Sequence, residues 1–210
     1  MKKQIVLALA SFIFLLNTTL KAQDNLAFDK GTIVATAGYG FPDFYRTSLR
    51  VSYNGYSSRT VRGFGPLIIK GDYGIVKFKW GHSVGAGIVL GYSSTTVKYT
   101  NYYTTMIPVD ETDKYRTITI GARGTYHFFT KEKLDCYVSL GAGFNINTYD
   151  YSNSFGYTYG VYATPAKSRS VLYESATVGI RYYFTKNIGV YSELGWDMSA
   201  PIQAGVAIKF

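Results

Sequence analysis

Apolar and polar residues alternate with period two over most of the chain beyond residue 31. Between 115 and 129, Ile118, Ile120, Ala122, Gly124, Tyr126 and Phe128 share one face. Thr117, Thr119, Gly121, Arg123, Thr125 and His127 share the other. The stretch 135–149 repeats this, with Cys136, Val138, Leu140, Ala142, Phe144 and Ile146 set against Tyr137, Ser139, Gly141, Gly143, Asn145 and Asn147. A period of two is the signature of a strand with unlike faces. Six further stretches follow it: 32–39, 67–75, 83–92, 175–184, 188–197 and 202–210. The alternation therefore predicts eight strands.

Their connections also alternate. Short links are expected near 77–81, 130–134 and 185–187, and longer ones at about 41–64, 99–114 and 152–170, with a brief one at 198–201. The segment Phe44 to Arg62 lacks clean alternation and is expected to hold a short helix or a lid. Short turns at one end and long loops at the other are the habit of transmembrane β-barrels. The expected fold is all-β, an eight-stranded antiparallel transmembrane β-barrel occupying residues 31–210. An even strand count places both chain ends on the periplasmic side. Aromatic residues fall where two interfacial girdles belong: Phe78, Trp80, Tyr126, Phe128, Tyr182, Phe184 and Phe210 at one, Tyr39, Tyr92, Tyr149 and Trp196 at the other. A secreted soluble barrel of lipocalin type is the alternative. It requires the apolar set inside, whereas here the polar set is small and Gly-rich, suiting a narrow interior.

Residues 1–22 read as a secretory signal peptide. Lys2 and Lys3 precede an apolar run from Ile5 to Leu16, too short to span a bilayer, and Ala22-Gln23 fits a cleavage junction. Residues 23–30 are then a short periplasmic segment. Loss of Lys2, Lys3 and Lys21 lowers the formal charge from +9 to +6. With 17% charged and 17% aromatic residues, the chain is poorer in charge than soluble domains, which carry roughly 25%. Its mean hydropathy of -0.01 is the cancelling average of two unlike strand faces. The single Cys excludes a disulfide framework. Basic residues at expected turns (Lys77, Lys79, Lys131, Lys133, Lys186) suit lipid head groups or water, and no nucleic-acid partner is expected.

A signal segment, eight amphipathic strands and the ending Val206-Ala207-Ile208-Lys209-Phe210 resemble the small outer-membrane β-barrel proteins of Gram-negative bacteria. Gly65-Pro66-Leu67 followed by Asp72-Tyr73-Gly74 is similar to the second strand of the Bacteroidetes-type outer-membrane β-barrel domain. The resemblance implies location in the outer membrane, lipid as a partner, and Phe210 as the signal that the barrel assembly machinery reads. It leaves the activity open, because the group holds adhesins, lipid-modifying enzymes and proteins of unsettled role.

Five charges fall on the expected lumen face: Lys70, Asp72, Arg123, Arg181 and Glu193. An eight-stranded interior is only wide enough for side chains, so these charges should pair as a plug. Gly179 is expected to face Glu193, with Arg181 diagonal to it. A proton or ion path is the competing use. His82 and His127 sit near the periplasmic end, away from where an outer-membrane lipase would need a Ser–His–acid set, so His127 reads as a network residue. Cys136 reads as a small lipid-facing residue. Asp110, Glu111 and Asp113 read as a solvated loop, too sparse for calcium. No cofactor, metal or catalytic residue is expected. Tyr99, Tyr102 and Tyr103, then Tyr149, Tyr151, Phe155, Tyr157, Tyr159 and Tyr162, mark either a binding surface for an extracellular ligand or strands continuing above the membrane. The expected function is a monomeric, plugged barrel with a structural or surface-interaction role. A narrow pore and a lipid A-modifying enzyme are the alternatives.

Overall fold

A computed structural model describes residues 26–53, 57–78, 80–102, 108–153 and 164–210. The expected signal peptide, Tyr103, Phe155, Tyr157, Tyr159, Tyr162 and Lys79 lie outside these residues. Eight antiparallel strands close into a barrel in chain order. They are β1 (Ile33–Phe41), β2 (Ser57–Lys77), β3 (Ser83–Tyr102), β4 (Pro108–Thr130), β5 (Leu134–Asn153), β6 (Thr164–Tyr183), β7 (Ile188–Asp197) and β8 (Ala200–Lys209). One helix, α1 (Phe44–Ser52), follows β1. The ring closes where β1 pairs β8, from Val34↔Lys209 to Phe41↔Ile202. At the chain end, the Phe210 amide donates to the Ile33 carbonyl at 2.9 Å. No helix among the described residues is long and apolar enough to cross a membrane.

All eight alternating stretches are strands, and each presents the expected face outward. Leu140, Leu172, Phe144 and Ile88 are 60–70% exposed on the outside. Val34, Ile68, Lys70, Asp72, Val89, Arg123, Tyr137, Arg181 and Glu193 are buried inside. The alternation places side chains this way because successive residues of a strand point to opposite faces. Lumen glycines make room where a large residue crosses the interior. A Cβ on Gly179 would lie 2.3 Å from Cζ of Tyr137, and one on Gly91 would lie 2.1 Å from Sδ of Met198.

The strands are of two lengths. β1, β7 and β8 have 9 or 10 residues, whereas β2 to β6 have 20 to 23. The expected long loops are therefore shorter than drawn from the sequence. Pairing of β3 with β4 continues to Tyr102↔Pro108, and of β5 with β6 to Tyr151↔Thr164. Tyr and Thr, both strand-favouring, extend the sheet where strict apolar alternation fades. The barrel is consequently a full ring at its short-turn end and a one-sided wall at the other.

Helix α1 fills part of that asymmetry. Asp43 caps it, accepting from the Arg46 amide at 3.0 Å. Leu49 packs on Val97 and Tyr99 of β3, joined by Tyr53, Val61 and Tyr115. The Arg46 guanidinium donates to the Gly65 carbonyl at 2.8 Å. The helix thus lies on the concave inner face of the wall. Its start is tied to the low β7–β8 turn, where the Phe44 amide donates to the Ser199 carbonyl.

Candidate functional site

The interior is layered. Nearest the short turns is an apolar cap of Ala27, Phe28, Val34, Tyr183, Tyr191 and Ala207. Above it lies a buried charge network, and above that a second apolar layer of Ile68, Val89 and Tyr173 with Met198 against it. Beyond this layer the interior opens into a vestibule.

The network contains all five residues expected from the sequence. Glu193 is its hub. It accepts from Lys70 Nζ (2.5 Å), Arg123 Nη1 (2.9 Å), Tyr137 Oη (2.8 Å) and Thr177 Oγ1 (3.1 Å). Asp72 bridges the two arginines, with Arg123 Nε at 3.0 Å from its Oδ1 and Arg181 on its Oδ2. A carboxylate buried this deeply is tolerable only when its lone pairs are filled by charged or hydroxyl donors.

The structure adds members that the sequence reading left out. Asp197 takes Lys70 at 2.7 Å, and Gln203 Oε1 accepts from the same Nζ at 2.8 Å. Asp135 takes Arg181 at 3.3 Å. The Arg181 guanidinium also lies over the Tyr137 ring, 4.2 Å from its centroid. The expected register is present, with Gly179 opposite Glu193. Arg181, however, pairs with Asp72 and Asp135, while Glu193 goes to Lys70 and Arg123 across the lumen. Alternation had already placed Asp197 on the lumen face. Asp135 opens the stretch 135–149 and shares the parity of Tyr137, so the same alternation places it on the lumen face.

His127 is a network residue, as expected. Its Nδ1 lies 2.7 Å from Asp135 Oδ1 and its Nε2 3.0 Å from Thr125 Oγ1. This is a hydroxyl–imidazole–carboxylate chain, but it is sealed. The Phe28 ring stacks on His127 at 3.6 Å with the planes 8° apart, and neither His127 nor Asp135 has any exposed surface. A nucleophile needs room beside it for a carbonyl and donors for the oxyanion, and that space is filled by Phe28. The segment 23–30, expected as a short periplasmic arm, thus enters the barrel mouth from Leu26 onward. The Ala27 amide donates to the Lys131 carbonyl, Lys209 Nζ donates to the Leu26 carbonyl, and Asp29 pairs with Lys77. His82 lies outside, against the Tyr126 hydroxyl. Cys136 sits on the outer face, half-buried.

The acidic cluster differs from expectation. Asp110, Glu111 and Asp113 lie on β4, and Glu111 and Asp113 are buried on its inner face. Asp113 accepts from Tyr53 Oη and Tyr149 Oη, each at 2.6 Å, and Glu111 accepts from Tyr99 Oη at 2.7 Å. The tyrosines of the wall therefore serve as donors to inward carboxylates. Burial, then the bond to Asp113, drives the Tyr53 phenol far above its usual range. Burial, then Tyr115 and Asp43, pushes Tyr45 up to about 12.

The vestibule has a volume of about 490 Å³. Tyr45 of α1, Tyr115, Thr117 and Thr119 of β4, Asn145, Asn147 and Tyr149 of β5, and Lys167 and Arg169 of β6 line it. Met198 and Ser199 of the β7–β8 turn stand at its low side. No three His, Cys, Asp or Glu side chains converge as a metal site among the described residues.

No family model and no curated protein matches the chain. Among solved structures it is similar to Ail, the attachment invasion locus protein of Yersinia pestis, in complex with the heparin analogue sucrose octasulfate. That likeness has 15% identity and a TM-score of 0.39 over 86% of this chain and 99% of that one. It is also similar to the N-terminal β-barrel domain of Pseudomonas aeruginosa OprF, with 16% identity and a TM-score of 0.37 over 87% of this chain and 98% of that one.

Proposed function

We propose that this chain is an integral outer-membrane β-barrel, closed to solutes, with a structural or surface-interaction role carried by its tall rim. One observation supports this above the rest: the barrel is inverted relative to a soluble one. Leu140 is 70% and Leu172 63% exposed, whereas Lys70, Arg181 and Glu193 are 1% exposed. A continuous apolar outer face of this kind needs lipid against it, and a closed ring leaves no unpaired strand edge in that lipid. Strands of about ten residues suffice to cross the hydrocarbon when tilted, so β1, β7 and β8 end near the membrane surface while β2 to β6 rise beyond it.

In this reading residues 1–22 direct export, the short turns face the periplasm, and Phe210 is the assembly signal. The likeness of Gly65–Leu67 and Asp72–Gly74 to the Bacteroidetes-type domain is part of the same proposal. The three-layer filling of the lumen supports a plugged interior over a pore. The sealing of His127 behind Phe28 supports a non-enzymatic role. The test is reconstitution of the mature chain. A folded band that shifts on boiling, with no steady conductance in planar bilayers, is the expected result. Absence of the shift would overturn the membrane barrel. Steady single-channel currents, lost on Glu193→Ala, would overturn the plug in favour of a narrow pore.

A further inference from the structure

We propose that the vestibule is a binding site for a small saccharide carrying a sulfate or phosphate ester. The inference rests on the vestibule's own chemistry and goes beyond the closed-barrel reading. Its polar lining is rich in free donors and poor in free acceptors. Thr119 Oγ1 donates to Asn145 Oδ1 at 2.6 Å, and Thr117 Oγ1 donates to Asn147 Oδ1 at 2.7 Å. Both carboxamide oxygens are thereby used, and both NH2 groups are left for the cavity.

Lys167 and Arg169 stand on the adjoining strand, opposite Tyr149 and Asn147 in register. Their strand parity is that of buried Tyr173, so both arise from the inner face. Neither has an ion-pair or hydrogen-bond partner among the described residues, unlike every cation of the lower network. The acids nearby are engaged. Asp43 holds Arg46 at 3.1 Å and caps α1, and Asp113 is filled by two tyrosines. Segments 154–163 and 103–107 contain no Asp or Glu.

Two cations beside two amide donors fit a tetrahedral oxyanion, to which Arg offers a planar fork. The rest of the cavity fits a sugar. Tyr115 lies between Tyr45 and Tyr149, with ring centroids at 5.8 and 5.1 Å, giving flat aromatic surface beside hydroxyl groups. A volume of about 490 Å³ lies within the range of small-molecule sites.

The test uses the full mature chain folded in a non-ionic detergent, so its outcome does not depend on the membrane assignment. Calorimetric titration with glucose 6-phosphate should show saturable binding that weakens with salt, and glucose should bind at least tenfold more weakly. The double variant Lys167→Ala with Arg169→Ala should lose affinity by about tenfold or more, as expected for charged hydrogen bonds. Lys167→Gln with Arg169→Gln should match that loss. Arg62→Ala, on the outer face of the wall, should bind as the parent does, and heat-modifiable mobility should be unchanged in all variants. No saturable heat at millimolar glucose 6-phosphate, or equal binding by the double variants, would overturn the site. Equal affinity for inorganic phosphate would overturn the saccharide part of the proposal.

Discussion

The lower lumen and the vestibule are lined by the same strands in the same alternation, yet they treat charge in opposite ways. Around the network all eight strands encircle the interior. Lys70, Arg123 and Arg181 are each held by two carboxylates. In the vestibule only β2 to β6 remain, and one side is bounded by the low β7–β8 turn. There Lys167 and Arg169 are exposed and have no ion-pair partner among the described residues. The difference teaches that enclosure, rather than residue type, decides whether a cation must pair. In the closed section water is excluded and an unpaired charge is costly. In the open section water carries the charge at little cost, and the group remains free for a ligand.

Breaking the hub of the lower network should have the largest effect. Glu193→Ala leaves Lys70 and Arg123 each short of a counter-charge in a closed interior. Removing one partner of a buried pair costs about 3–5 kcal/mol, so the urea midpoint of the refolded barrel should fall accordingly, with Glu193→Gln less affected. An unchanged midpoint would mean that water reaches the network. Phe28→Ala should come next, at about 1.5–3 kcal/mol for a lost buried aromatic. It should also expose His127, so that the imidazole N–H exchanges with solvent faster by NMR in the variant than in the parent. Tyr173→Phe removes the bond to Asp197 Oδ1 at 2.6 Å that ties the two regions together. It should cost about 1–2 kcal/mol.

Effects confined to the vestibule should be smaller and should leave the barrel's unfolding intact. Leu49→Ala should release α1 to protease at concentrations that spare the parent, while the boiled and unboiled gel bands keep their separation. Loss of the folded band would show that the helix holds the ring together. The smallest effect concerns pH. An unfolded tyrosine ionises near pH 10, and Tyr45 folded ionises near 12. Between those values the unfolded chain releases the proton first, so stability contributed by Tyr45 is intact below about pH 10 and declines as pH rises toward 12. Tyr45→Phe should remove a step near pH 12 from the phenolate absorbance titration. A loss of amplitude near pH 10 instead would place that phenol in open water.

Much of this was readable in the alternation. The number of strands, the face each residue occupies and the five charges of the lumen follow from a period that each strand expresses locally. The short helix after β1 was signalled by the break in alternation between Phe44 and Arg62. Other features had no local signal. The tall wall looked like loops, because its inner positions are Tyr, Asn and Asp rather than aliphatic residues. Asp113 looked solvated because nothing nearby in sequence announces Tyr53, which lies 60 residues away and reaches it from the end of α1. Phe28 precedes the first strand, and its role depends on a ring at residue 127.

The sequence by itself thus determined the inside and outside of this barrel, since side-chain direction along a strand is a property of successive residues. Only the tertiary structure decided who meets whom inside. Lys70 and Glu193 are 123 residues apart, and Arg181 and Asp72 are 109 apart. Their meeting depends on the stagger accumulated around a closed ring and on the unequal heights of its strands. The same closure that pairs those charges leaves Lys167 and Arg169 above it, facing an open cavity.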